Sequence, residues 1–140
     1  MIPDESNIVD GEALDEQYAK KNFLGKTLDD AFEMFCEGNN HIYPEDFQYL
    51  SDLAVRYYLP AAIKYAESDN SKGEYLFIGW MGSSLAFRLR EGTISPETAE
   101  IAKRYALTVL ECPEKYDLVS EDGFRETDSL DALRFICDNA

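Results

Sequence analysis

Residues 74–91, EYLFIGWMGSSLAFRLRE, constrain the fold more than any other part of this chain. Fifteen consecutive residues, 75–89, carry Arg88 as their only charge. A stretch of this length and apolarity predicts a buried helix at the centre of a bundle. Within it Gly79, Gly82, Ser83 and Ala86 fall at i, i+3, i+4 and i+7, so one face is made of small side chains. Glycine costs roughly 1 kcal/mol against alanine inside a helix. Two such residues are tolerable where a second helix approaches closely, which is the packing expected here. Trp80 is expected near the middle of that core.

Shorter amphipathic helices are expected around it. Residues 12–23 form the first, ended by Gly25. Thr27 and Asp30 have capping-box spacing and open the next, where Leu28, Ala31, Phe32 and Phe35 make one apolar stripe. Gly38-Asn39-Asn40 stops it by a left-handed turn. Pro44 suits the first turn of a short helix over 44–51, with Glu45 and Asp46 at its positive end. Pro60 should divide 52–67 into two pieces, because proline lacks the backbone donor and clashes one turn back. Ser95-Pro96-Glu97 starts a helix that Cys112-Pro113 ends. Residues 114–127 read as loop, and Asp128 or Ser129 caps a last helix with Leu130, Leu133, Phe135 and Ile136 inward. With no strand pattern, no repeat and no low-complexity tract, the expected fold is all-α: a compact single-domain bundle of six or seven helices over 12–140, preceded by a flexible acidic tail over 1–11.

The 140 residues include 28 Asp and Glu against 13 Lys and Arg, a formal net charge of −15. Residues 1–16 carry −6, residues 111–140 carry another −6, and the 94 residues between them carry only −3. Such a chain is poorly suited to nucleic acid, whose phosphates require clustered cations. No apolar run is long enough to span a membrane. The first residues lack the basic and apolar regions of a secretory signal. Cys36, Cys112 and Cys137 do not resemble a disulfide framework, so a reducing cytoplasm is the expected location.

Catalytic and metal chemistry find little support. His41 is the only histidine, and no zinc-ligand spacing occurs. A calcium loop centred on Gly123 would put Leu118 and Ser129 where carboxylates are required. No metal and no cofactor is expected, and the chain does not read as an enzyme. Arg56, Arg88 and Arg90 interrupt apolar helices, and such arginines ordinarily pair with carboxylates or extend to water. A small-ligand or enzymatic pocket around Arg56 and Trp80 is the competing reading, and a structural subunit of a larger assembly is a third.

Asp29, Glu33 and Glu37 lie at i, i+4 and i+8, opposite the apolar stripe of helix 27–37. Like charges so spaced disfavour an isolated helix by roughly 0.2–0.5 kcal/mol per pair, so the stripe is either a solvated face or a partner-facing one. Glu121, Asp122, Glu126 and Asp128 form a second acidic cluster in the expected loop and at its exit. Tyr43 or Phe124 would supply an aromatic anchor, since charge sets on-rate more than affinity.

The stretch Ala54-Val55-Arg56-Tyr57-Tyr58-Leu59-Pro60-Ala61-Ala62 resembles an A-x-R-Y-Y-L-P-A signature of small bacterial proteins of uncharacterised function. The likeness covers roughly residues 47–66. Some proteins of this general look, small, acidic and helical, are immunity proteins encoded beside secreted toxins. The resemblance implies a binding function. The net charge of −15 is expected to steer a protein partner with a basic surface, such as a nuclease toxin whose phosphate-holding groove carboxylates can occupy. It carries no catalytic residue. Arg56 is expected to be a paired arginine, Tyr57 and Tyr58 packing residues, and Pro60 a break between helices.

Overall fold

A computed structural model describes residues 1–123 and 125–140. Among them are seven α-helices: α1 (Leu14–Phe23), α2 (Leu28–Cys36), α3 (Tyr43–Asp46), α4 (Asp52–Glu67), α5 (Tyr75–Glu91), α6 (Pro96–Glu111) and α7 (Thr127–Asn139). Short 3₁₀ turns cover Asn40–Ile42, Asp69–Ser71 and Pro113–Tyr116. The described residues form no sheet, only isolated antiparallel bridges between Val9 and Leu50 and between Val119 and Arg125. The all-α fold expected from the helical periodicities is the fold observed.

Local chemistry places most helix ends. Thr27 accepts from the Asp30 amide and Asp30 accepts from the Thr27 amide, both at 3.0 Å, a reciprocal capping box. Ser51 and Ser95 cap α4 and α6 through the amides of Ala54 and Thr98. Gly92 ends α5 at φ +67, where an L side chain would be strained. After α2 the left-handed residue is Asn39, at φ +62, while the neighbouring Asn40 is buried and donates to the Phe35 carbonyl at 2.6 Å.

α4 lies between α2 and α6, while α5 packs on α7 and α3, and α6 also meets α7. The core is aromatic at one end. Phe23, Phe35, Phe47, Tyr58, Tyr65 and Phe77 are fully enclosed, with centroids 4.7 Å apart for Tyr65 and Phe77 and 4.9 Å for Phe23 and Tyr58. The hydroxyls of the buried tyrosines are satisfied rather than stranded. Tyr58 donates to the carbonyls of Phe23 and Lys26 at 2.8 Å, holding the end of α1 against α4. Tyr105 reaches the Ile78 carbonyl at 2.9 Å and so ties α6 to α5.

The structure differs from the sequence reading in several places. The helix expected over 44–51 is a single turn, Tyr43–Asp46, and α7 begins at Thr127 behind the N-cap residue Glu126 rather than behind Asp128 or Ser129. Pro60 does not divide α4, which runs unbroken from Asp52 to Glu67. Tyr58, Leu59, Ala61 and Ala62 are buried on both sides of the proline, and this packing outweighs the one lost hydrogen bond. Trp80 is not central: it lies on the surface with 46% of its area exposed. The stretch expected as a tail is partly held, because Ile8 is fully buried and Ser51 donates to the carbonyls of Ile8 and Asn7. The expected loop 114–127 begins as a 3₁₀ turn and buries Tyr116 and Leu118; Tyr116 donates to the Ala66 carbonyl at 2.8 Å.

Candidate functional site

The small face of α5 meets α7 at Gly79 and Gly82, whereas Ser83, expected on the same face, lies half-buried beside Trp80. A Cβ on Gly79 would lie 3.0 Å from Ser129 Cβ, and one on Gly82 would lie 2.8 Å from Leu133 Cδ2. The close approach expected of these glycines is present, and it fixes the rotation of α5 about its axis. With α7 on the small face and Phe77, Ile78, Met81 and Leu85 buried, one sector is left uncovered. Leu76, Trp80, Ser83 and Phe87 occupy it at i, i+4, i+7 and i+11. Leu76, Trp80 and Phe87 are 36%, 46% and 45% exposed, an apolar stripe facing solvent.

Shallow hollows run along this stripe. Leu76 borders one of about 190 Å³, with Glu37, His41 and Glu74. Trp80 and Ser83 border a second of about 240 Å³, with Glu45 and Gln48. Phe87 borders a third of about 300 Å³, with Asp10, Glu16 and Glu91, and Gln48 is shared with the second. The His41 ring meets the Trp80 ring edge-on at 6.0 Å and joins the first hollow to the second. Drug-sized ligands occupy roughly 300–1,000 Å³ of enclosed space; these hollows lie at or below the bottom of that range and are open to solvent.

Six carboxylates border the stripe, and the one arginine among these lining residues, Arg88, is not available to a partner. Arg88 is only 4% exposed. It donates to the carbonyls of Phe47 at 2.9 Å, Leu50 at 2.6 Å and Thr93 at 3.1 Å, and to Thr93 Oγ1 at 2.6 Å. Burial lowers its pKa, opposed by the charges of Asp10 and Asp52. A guanidinium nonetheless stays protonated. Arg90, at the end of α5, lies over the Phe135 ring at 4.3 Å.

On α3, Asp46 is 6% exposed and accepts from Asn22 Nδ2 of α1 at 2.7 Å. Burial raises its pKa to about 6; the Asn22 hydrogen bond opposes that rise, and Glu45 and Asp15 add to it.

The residues singled out from sequence are distributed over several surfaces. Asp29 and Glu33 are exposed on α2. Glu37 leaves their helical line, because it is the extended C-cap residue and borders the Leu76 hollow instead. Tyr43 is half-buried with ring centroids 6.0 Å from both Phe23 and Phe35, so it walls the aromatic core. Burial, then Glu37 and Asp46, push its phenol upward. Glu121 and Asp122 are exposed in a turn closed by the Gly123 amide on the Ser120 carbonyl, where the Ser120 hydroxyl also bonds the Asp122 carboxylate. Glu126 is the half-buried N-cap of α7, and Asp128 is exposed in its first turn. Phe124 lies outside the described residues.

Arg56 and Trp80 border different hollows. Arg56 pairs with Asp52 at 3.5 Å and Glu97 at 3.6 Å. Burial raises the thiol pKa of both Cys36 and Cys137, the opposite of the shift that activates a nucleophilic thiol. Among the described residues no group of three or more His, Cys, Asp or Glu could hold a metal ion, and no helix is long and apolar enough to cross a membrane.

Sequence reasoning missed the exposed stripe because residues 75–89 read as core throughout. The available signal was angular. At about 100° per residue, Leu76, Trp80, Ser83 and Phe87 cluster a quarter-turn from the centre of the Gly79, Gly82 and Ala86 face. No protein-family model matches this chain, and no curated protein or solved structure is significantly similar to it.

Proposed function

We propose that this protein is a cytoplasmic acidic protein-binding module, and specifically a bacterial immunity protein that occupies the basic surface of a cognate toxin. One observation carries the reading: an exposed apolar stripe on α5 bordered by six carboxylates. Carboxylates accelerate encounter with a cationic surface, and aromatic side chains supply the desolvated contact that keeps the complex together. The net charge of −15 acts in the same direction at long range. A nuclease is a fitting toxin, because a groove built for phosphates is lined with cations that carboxylates can occupy. Asp29, Glu33, Glu121, Asp122 and Asp128 extend the acidic field beyond the stripe.

The test is co-expression with the product of the adjacent gene, followed by affinity capture at increasing salt. The expected result is a one-to-one complex that weakens as salt rises, together with protection of cells that express the toxin. Absence of both capture and protection would remove the immunity reading.

A further inference from the structure

We propose that the exposed face of α5 receives a basic amphipathic helix of about three turns from the partner. The inference rests on the protein-binding reading above and specifies where the contact lies and what segment makes it. From Leu76 to Phe87 the stripe spans twelve residues of helix, eleven steps of rise, or about 16 Å. A facing helix of equal length would lay one apolar ridge along Leu76, Trp80 and Phe87.

Charge selects the rest of the segment. Carboxylates lie beside the stripe at both ends and at its middle, Glu74 near Leu76, Glu45 near Trp80 and Glu91 near Phe87. A neutral or acidic segment would desolvate or repel them. Lysine and arginine have apolar stems that can lie on the aromatic rings while their charged ends reach the rim.

The backbone requirement selects a helix. The described residues present only two isolated bridges and no sheet edge that an added strand could extend. A segment pressed against apolar side chains must therefore satisfy its own N–H and C=O groups, which a helix does internally.

Trp80 is the only tryptophan in the chain, so the site reports its own occupation. The probes are two synthetic lysine–leucine peptides of about 14 residues, long enough to span the stripe as helices. They have equal charge and composition: one gathers its leucines on a single helical face, and the other scatters them. Titrated into the full-length protein, the amphipathic peptide should shift Trp80 emission to the blue and saturate at one-to-one. The scattered peptide should bind at least about tenfold more weakly, as should the amphipathic peptide to an E45K/E91K variant. Phe87→Ser should weaken binding as well, and E121K/D122K should not. Equal binding of both peptides without a spectral shift would overturn the inference, as would a loss caused by E121K/D122K alone. Capture of the adjacent gene product that is insensitive to E45K/E91K and F87S would overturn this site and leave the protein-binding function standing. A groove that takes the peptide in a protein that captures no toxin would support the site and remove the immunity reading.

Discussion

Gly82 of α5 and Leu133 of α7 touch so closely that a methyl group on Gly82 would stand 2.8 Å from Leu133 Cδ2 and 3.1 Å from Cγ. Leu133 is fully buried, so it can move aside only by displacing its neighbours in the core. Gly82→Ala therefore sets two effects against each other. Alanine gains about 1 kcal/mol of helix propensity, while overfilling a packed interface costs about 1–3 kcal/mol. The expected outcome in urea unfolding is a net loss of up to about 2 kcal/mol. Leu133→Val should recover part of that loss in the double variant, because the two sites couple through direct contact. A stabilised Gly82→Ala protein would show that α7 yields at this point.

Arg88 fastens α5 to the chain before α4 through the carbonyls of Phe47 and Leu50, and to the turn after α5 through Thr93. Arg88→Leu removes all four donated hydrogen bonds and leaves buried carbonyl groups without this partner. Each unsatisfied buried group costs about 1–3 kcal/mol, so a loss of at least about 3 kcal/mol is expected in thermal or urea unfolding. Arg88→Lys keeps the charge but not the planar fork and should fall between the two. Equal stability of all three proteins would contradict the role assigned to this guanidinium.

Asp46 should make stability depend on pH in an unusual direction for a carboxylate. Its folded-state pKa is raised to about 6 from an ordinary value of 3.8, so between those values the folded protein binds more protons than the unfolded one. The stabilising contribution is complete below about pH 4 and is lost as pH rises through about 6. The size is on the order of 2–3 kcal/mol. Asp46→Asn does not titrate and can still accept from Asn22. The stability of the variant relative to the native protein should therefore rise by that order between pH 4 and pH 8, measured by urea unfolding at each pH. A difference independent of pH would refute the effect.

The free protein should show red-shifted emission and efficient quenching by neutral acrylamide, because 46% of Trp80 is open to solvent. Trp80→Ala should cost about 1–3 kcal/mol of stability in urea unfolding, less than the roughly 3–5 kcal/mol of a fully buried tryptophan, because nearly half of the side chain is open to solvent. A blue-shifted, poorly quenched spectrum would place the indole inside the bundle and remove the anchor at the middle of the α5 stripe.

Several features were determined by the sequence alone, and each has a local cause. The Thr27–Asp30 box, the serine caps before α4 and α6 and the glycine after α5 are contacts within a few residues of one another. Periodicity likewise placed Leu130, Leu133 and Ile136 inward on α7, though Phe135, expected with them, is half-buried under Arg90, and the two glycines announced a close neighbour for α5. Tertiary structure decided the rest. Helical spacing says which residues share a face, but not which face another element will cover. Once α7 takes Gly79 and Gly82, the rotation of α5 is set, and Trp80 turns outward. Pro60 stays inside a continuous helix because burial on both sides of it outweighs a local preference. Asp10 reaches Phe87 only because Ile8 is buried and Ser51 holds the carbonyls of Asn7 and Ile8. Joining acids from positions 10, 16, 37, 45, 74 and 91 beside one stripe requires contacts far apart in the chain, and no local rule of propensity, capping or period encodes them.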